Sequence, residues 1–508
     1  MGAEGRSLAG LDWAVIVAFF AIIVGIGVFY SRRQKTSEQF FGGDKTMPWW
    51  LAGISFYMCT FSALAFVMYS AIAYKFGFVA VTISWGSPIA VFVGAKLTAA
   101  KWRRVATNSP LEYIERRFGN SMRQGLMWLG LPMRIFDDAA KLLAIGTVVG
   151  VGLGFPISWA IAVSAVIVAL YTFMGGLKAA LVADFFQFVV LFIVVLALPL
   201  FCCGELAKMD GGSGIVHGFS NFLKNAPEGL FDLTSDKYTW VYVIVLALCS
   251  VVNNCTSWSL VQRYYSTRSE KDALKVGYLV SFLIFIGAPI FYFPAMAARE
   301  FLPALDMANP DTMNGVFATI CTTVLPAGMI GMVVAAMFSA TMSTLAGDFN
   351  AIAAVFTNDF YARMLSPNAS QRAKMAVARI STLAVAAFVV ALAFFVRQAQ
   401  GASDLLDVVN KMFAVFLPPI SFPMMVGFLV RRLSRRSGLV GTLVGMAYGI
   451  AAFIAGAWFP VLREMVVMLP STFAATAVGL VLGTIFLRDA PEESRDIDEF
   501  FRKANTPS

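Results

Sequence analysis

This sequence predicts an all-α polytopic membrane protein with about 13 transmembrane helices, and three observations carry the prediction. Of its 508 residues, 59% are hydrophobic and 14% charged, with a mean hydropathy of +0.74, which is too apolar for a soluble chain. Apolar runs of roughly 20 residues recur between charged breaks, the length a helix needs to cross a bilayer at about 1.5 Å per residue. No stretch alternates with the period of a barrel strand. The runs fall at 11–30, 48–73, 78–100, 124–150, 156–175, 179–203, 239–262, 273–298, 325–359, 375–396, 403–430, 438–459 and 465–487.

The first run is too long for the core of a signal peptide and ends in Tyr30-Ser31-Arg32-Arg33 rather than a small-residue cleavage site, so it reads as a retained helix. The formal net charge of +9 reflects topology rather than nucleic acid. With the amino terminus outside, 27 Lys and Arg residues fall in inner segments and 8 in outer ones, an asymmetry that places the carboxyl-terminal tail in the cytoplasm of a plasma (inner) membrane protein. Four basic residues remain inside spans: Lys96, Arg134, Lys141 and Lys411. Lys96 can snorkel from a helix end, and the other three need partners.

The 6 cysteines neither space like metal ligands nor form a disulfide frame, and the single histidine, His217, lies in a Gly-rich outer loop. A zinc site or a Ser-His-Asp triad is therefore not expected, and the chain does not read as an enzyme.

The run 48–73 loses apolar continuity at Cys59, Thr60 and Ser62. Such hydroxyls either satisfy backbone freed by a break in a transporter helix or bond back to their own intact helix. The run 124–150 holds Arg134, Asp137, Asp138 and Lys141. These either neutralise one another at i, i+4 spacing or leave Arg134 to hold a substrate carboxylate bidentately. Gly175-Gly176 reads as a tight turn, and Asp184 lies about two turns into the next helix, where a carboxylate is costly unless paired, hydrated or coordinating.

After a polar outer loop at 204–238, which lacks the composition of a folded enzyme domain, the run 239–262 is interrupted by Ser250, Asn253, Asn254, Thr256 and Ser257. Gln262-Arg263 marks its cytoplasmic edge. Two polar-interrupted runs, each opening a set of five helices, are the pattern of an inverted repeat. The expected parts are an extra helix and inner loop at 1–47, repeats at 48–203 and 239–430, two further helices at 431–487 and a cytoplasmic tail at 488–508.

The segment 332–361 is long enough to span, yet carries hydroxyls and a carboxylate. Ala340, Ser343 and Thr344 share one helical face at i, i+3 and i+4, offering hard oxygen donors to a small cation, or packing as small residues between membrane helices.

Four stretches in this order, FFGGDKTMPWW, YTFMGGLKAALVADFFQ, the Gln262-Arg263-Tyr264 end and ATMSTLAGDFNAIAAVFTNDFY, resemble the sodium:solute symporter family, which includes proline, sugar and sialic acid sodium symporters. The resemblance covers roughly Asp12 to Arg488. It implies a LeuT-like core of five plus five inverted helices, alternating access, and sodium as the coupled ion. The implied sodium ligands are the carbonyls of Met58, Phe61 and Ala340 and the hydroxyls of Ser343 and Thr344, with Asp184 near the ion path. Some members bind a second sodium through hydroxyls where this chain has Ala346 and Gly347. Asp348, on the face of Thr344, is expected to join Asp184 in supplying negative charge.

For the solute, Thr60, Ser62 and Arg134 resemble the positions used by sialic acid carriers, whereas Leu64 and Ala65 depart from the sugar carriers and Thr60 from the proline carriers. Asn253, Asn410 and Lys411 are expected to complete the cavity, Lys411 alternatively pairing with Asp407. The expected function is sodium-coupled uptake of a small polar solute, sugar-like or carboxylate-bearing such as a sialic acid, by a bilayer-embedded monomer. A proline-like amino-acid symporter and a sodium-linked sensor are the alternatives. The sensor reading wants a kinase or receiver domain, and a channel wants a continuous polar lining where this chain has focal polarity.

Overall fold

The computed structural model describes residues 9–31, 45–61, 63–105, 109–153, 156–302, 305–307, 310–399 and 405–506. Among them no strand forms, and the only extended pairing is an isolated bridge between Met47 and Thr267. Among the described residues, nine helices are long and apolar enough to cross a membrane, and up to eleven if two bent pairs are each taken as one span.

The bundle begins with α1 (Gly10–Ser31), followed by α2 (Trp49–Thr60) and α3 (Ala63–Phe76), a pair bent by 65° at the place where Cys59, Thr60 and Ser62 interrupt the sequence. Helix α4 (Val79–Gly94) continues through a wider turn at Ala95–Ala99 into α5 (Ala100–Val105). A short connecting helix α6 (Pro110–Phe118), capped by Ser109, leads to α7 (Asn120–Leu153), which bears the four charged residues of the fourth run.

Helix α8 (Ile157–Lys208) is one continuous element. The turn expected at Gly175-Gly176 is therefore not formed: the helical hydrogen-bond ladder passes through the pair. Glycine lets a helix curve without breaking its ladder, so a Gly-Gly step need not be a stop.

The outer loop contains an amphipathic helix, α9 (Ile215–Asn225). The second bent pair is α10 (Trp240–Thr256) and α11 (Trp258–Tyr265), turned by 55° at Ser257, whose backbone is non-helical (φ −58°, ψ 124°). Helices α12 (Glu270–Phe301), α13 (Pro310–Val324) and α14 (Met329–Ala354, continuing as a wider helix over Val355–Leu365) follow. Then come α15 (Gln371–Ala399), α16 (Leu405–Leu429), α17 (Ser437–Ala455), α18 (Met465–Phe486) and α19 (Pro491–Asn505). Most of the tail is thus helical rather than irregular.

Helix α14 is the axis of the bundle, with every residue from Val333 to Ala354 buried, so its hydroxyls and Asp348 take their partners from neighbouring elements or from its own backbone. Its amino-terminal end is held by a carboxylate from another helix: Asp12 Oδ1 accepts from the amides of Gly328 (2.7 Å) and Gly331 (2.8 Å), satisfying two orphan donors at the positive end of the helix dipole. A Cβ on Gly331 would lie 2.5 Å from the Asp12 carbonyl oxygen, so only glycine admits this approach. By contrast, α15 leaves Ile380, Phe388 and Phe395 exposed, as a lipid-facing helix would.

The basic connecting segments gather at one end of the bundle. Arg103 donates to the Thr267 carbonyl, Arg104 pairs with Glu270 at 2.6 Å, and Arg435 pairs with Asp496 of α19 at 2.8 Å. Asp12 and Gly328 lie at the other end of the α14 axis from this basic cluster.

Candidate functional site

Helix α2 ends at Thr60 because Phe61 leaves the helical region (φ −99°, ψ 141°), its amide still donating to the Met58 carbonyl at 3.2 Å. The last carbonyls of a helix have no partner within it and carry its negative dipole end. Helix α14 meets this end with its small polar face. Thr344 Oγ1 lies 2.6 Å from the Phe61 carbonyl oxygen and 3.0 Å from that of Ala340, while Cys59 Sγ lies 3.7 Å from Ser343 Oγ. The five residues expected around sodium, Met58, Phe61, Ala340, Ser343 and Thr344, are therefore brought together where α2 breaks against α14.

Asp184 of α8 is fully buried beside them. It accepts a hydrogen bond from Ser55, faces the Ser343 hydroxyl, and lies 3.7 Å from the Arg263 guanidinium. Arg263 in turn donates to Ser55 Oγ (3.1 Å) and to the Ser259 carbonyl (2.7 Å). It is not at an aqueous edge, as the sequence suggested, but has no solvent exposure at all. Sequence reasoning missed Arg263 and Ser55 as parts of the site. The available signal was the lone carboxylate Asp184, which demands a cation from elsewhere in the chain.

Asp348 does not join Asp184. It belongs to a separate cluster with Lys141 (2.9 Å) and Arg134 (3.7 Å), and its oxygens lie near those of Asp137 and Asp138. The reason is which face each meets: Ser343 turns to Asp184 of α8, whereas Thr344 and Asp348, one turn apart, share the face that borders the cavity and α7. Lys141 pairs with Asp137 at 2.7 Å, the i, i+4 partner that the spacing suggests. Arg134 stacks over Trp258 at 4.5 Å and takes Asp348 across the interface.

A cavity of about 280 Å³ opens between these two groups. Thr60, Phe61, Arg134, Asp137, Lys141, Asn253, Thr344 and Asp348 are among its lining residues, so the α2–α3 break and the charged face of α7 border the same space. A second cavity of about 160 Å³ shares Thr60, Phe61, Ser87 and Ser250 with it and extends toward Tyr69 and Tyr292. Thr60 bonds back to the Tyr57 carbonyl at 2.7 Å even though its helix breaks, and Asn254 does likewise to Ser250. Lys411 is not among the lining residues of either cavity. Ser62 and the side chains of Asn410 and Asp407 lie outside the described residues.

The profile of the sodium:solute symporter family matches residues 40–445. The chain is 26% identical to the sodium/sialic acid symporter NanT of Aliivibrio fischeri, over 87% of this chain and 88% of that one. It is 24% identical to the sodium/glucose cotransporter of Vibrio parahaemolyticus, over 93% and 90%. Its fold resembles a substrate-bound, outward-open Na+-coupled sialic acid symporter, with a TM-score of 0.78, 21% identity, and 95% and 99% of the two chains covered. It also resembles Mhp1, a nucleobase-cation-symport-1 family transporter, with a TM-score of 0.54, 15% identity, and 90% and 98% covered. These relatives are transporters and not enzymes. With the profile matched across most of its length, this chain belongs to the sodium:solute symporter family.

Proposed function

We propose that the protein couples inward sodium flow to the uptake of a small polar organic solute by alternating access around the α2–α3 break. The observation that carries this reading is Thr344 Oγ1 set 2.6 Å from the Phe61 carbonyl oxygen in the α2–α3 break and 3.0 Å from the Ala340 carbonyl oxygen of α14. Carbonyls and hydroxyls converging from two elements make a hard-oxygen site suited to a small monovalent cation, and its shape depends on how the two elements sit. Met58, Phe61, Ala340, Ser343 and Thr344 hold the ion in this reading, and Asp184 draws it toward them.

The solute binds in the adjoining cavity. Arg134 is the group there that matches a carboxylate bidentately, and Thr60 and Asn253 offer neutral hydrogen bonds. This favours a sugar-like or carboxylate-bearing solute such as a sialic acid, in keeping with the solute named for the Aliivibrio relative. The repeats are 48–203 and 239–430, the amino terminus is outside and the basic end of the bundle is cytoplasmic. The unit of transport is the monomer.

A single sodium ion falling through about 100 mV supplies ~2.3 kcal/mol. A tenfold gradient adds ~1.4 kcal/mol, so the two together concentrate a neutral solute roughly 500-fold. The test is accumulation of labelled N-acetylneuraminic acid, D-galactose and L-proline in proteoliposomes with and without an imposed inward sodium gradient. Sodium-dependent accumulation of N-acetylneuraminic acid is expected. Uptake that equilibrates without responding to sodium overturns the coupling, and accumulation of proline alone replaces the solute assignment.

A further inference from the structure

Two cavities meet at the end of α2. The charged one of about 280 Å³ and the second one of about 160 Å³ have Thr60, Phe61, Ser87 and Ser250 in common. Of these residues only Phe61 has a large side chain, so its ring is the group that can fill or clear the waist between them, as an apolar constriction does in a pore. The cavities lie in sequence along the bundle. Helices α2 and α3 start beside Met47, whose amide donates to the Ser266 carbonyl at the basic end, and finish beside Phe78, whose amide donates to the Leu230 carbonyl of the outer loop at 2.7 Å. Tyr69 stands about two turns beyond the break in that direction, so the second cavity extends from Phe61 toward the outer loop.

Phe61 is also fixed at its other end. Its backbone is extended (φ −99°, ψ 141°), and its carbonyl accepts the Thr344 hydroxyl of α14 at 2.6 Å. Its ring packs edge-on against Phe66 of α3 (6.2 Å between centroids) and Phe291 of α12 (5.6 Å), with Tyr57 at 5.1 Å on the third side. Only Cα and Cβ separate the carbonyl carbon from the ring. A shift of the carbonyl therefore reaches the ring directly, and a packed cluster of rings takes up such a shift by changing arrangement rather than by yielding continuously.

We infer that Phe61 is the residue that couples ion to solute: its main-chain oxygen takes the sodium, and its ring sets whether the outer-side cavity communicates with the solute cavity. The inference rests on the sodium site and solute cavity proposed above. Because Phe61 gives the ion only a carbonyl, changing its side chain leaves the ligand set whole and separates the two roles.

The test needs no knowledge of the solute. Met133 lines the charged cavity and not the outer-side one, so Met133→Cys in the full-length protein places a reporter thiol beyond the waist. Right-side-out membrane vesicles are treated with a membrane-impermeant methanethiosulfonate in sodium or in choline, and labelling at position 133 is followed by mass spectrometry. Sodium bound by the purified variants is measured by equilibrium dialysis. With Phe61 present, the labelling rate is expected to differ roughly tenfold or more between sodium and choline. Adding Phe61→Ala is expected to keep sodium binding and to make the two rates equal, whereas Phe61→Tyr keeps the difference. Phe61→Leu, which fills more of the packing space, is expected to lose most of the difference and serves where truncation to alanine unfolds the protein. A sodium response that survives in Phe61→Ala or Phe61→Leu overturns the inference, as does a parent that binds sodium without any change in labelling. Loss of sodium binding in both variants overturns it too, by showing that the ring acts on the ion and not on the passage. A parent that binds no sodium overturns instead the Thr344 site on which the inference rests.

Discussion

Thr344 donates its hydroxyl to the Phe61 carbonyl across the break between α2 and α3, at 2.6 Å. This one contact ties the buried axis of the bundle to the segment that must change shape if access alternates. Thr344→Val keeps the volume and removes the oxygen. A hydrogen bond or ligand to a charged partner contributes about 1.5–3 kcal/mol, so the sodium concentration for half-maximal uptake is expected to rise roughly tenfold or more. Thr344→Ser, which keeps the hydroxyl, is expected to stay close to wild type in the same sodium titration.

Arg263 and Asp184 are both without solvent exposure, and Ser55 bridges them. Removing one partner leaves the other as an uncompensated buried charge, which costs about 3–5 kcal/mol. Arg263→Ala and Asp184→Asn are each expected to lower the thermal unfolding temperature in detergent, and the double variant to lose less than the sum of the two. Strict additivity would show that the pair is not coupled. Gly347→Ala probes the same place from α14, since its Cβ would lie 3.1 and 3.2 Å from the guanidinium nitrogens.

The membrane class, the two broken helices and the polar face of α14 were legible because each is written locally, as an apolar run or as hydroxyls interrupting one. Pairings between helices were not. Asp348 shares a face with Thr344, which suggested company with Asp184, yet it is the neighbouring Ser343 that turns to Asp184, and the face of Thr344 and Asp348 meets Lys141. The edge position expected of Arg263 followed from hydropathy alone, which cannot see Asp184 waiting 3.7 Å away on another helix. The Gly175-Gly176 step failed as a turn because glycine permits a bend without requiring one.

Arg134 offers a planar guanidinium stacked on Trp258 and bordering the cavity. Lysine keeps the charge but loses both the stacking and the two-pronged geometry. In Arg134→Lys, the KM for sodium-driven N-acetylneuraminic acid uptake is expected to rise roughly tenfold or more while sodium affinity is retained. Equal losses in sodium and solute affinity would instead mark Arg134 as a brace for α7 through Asp348.

Helix α19 is docked by its apolar face, with Ile497, Phe500 and Phe501 buried. Phe500 packs on Tyr113 and Phe428, whose rings stack at 3.9 Å, and Arg117 lies under Phe501 while donating to the carbonyls of Gly427, Val430 and Leu433. Burial lowers Arg117 to about 10, so it stays charged at neutral pH and caps the exposed carbonyl end of α16. The same helix reaches Arg104 through the Ala504 carbonyl at 3.0 Å, and so spans the ends of α5 and α16. Phe500→Ala is expected to cost about 3–5 kcal/mol and to expose α19 to limited proteolysis, because truncating a buried aromatic removes its transfer energy and leaves a cavity. Arg104→Ala, at the far end of the strap, is expected to raise the same cleavage and to cost about 1.5–3 kcal/mol, since it gives up a charge-assisted hydrogen bond to a carbonyl and a mostly buried ion pair with Glu270. Cleavage of α19 at the wild-type rate in both variants would show that the helix is not held by these contacts.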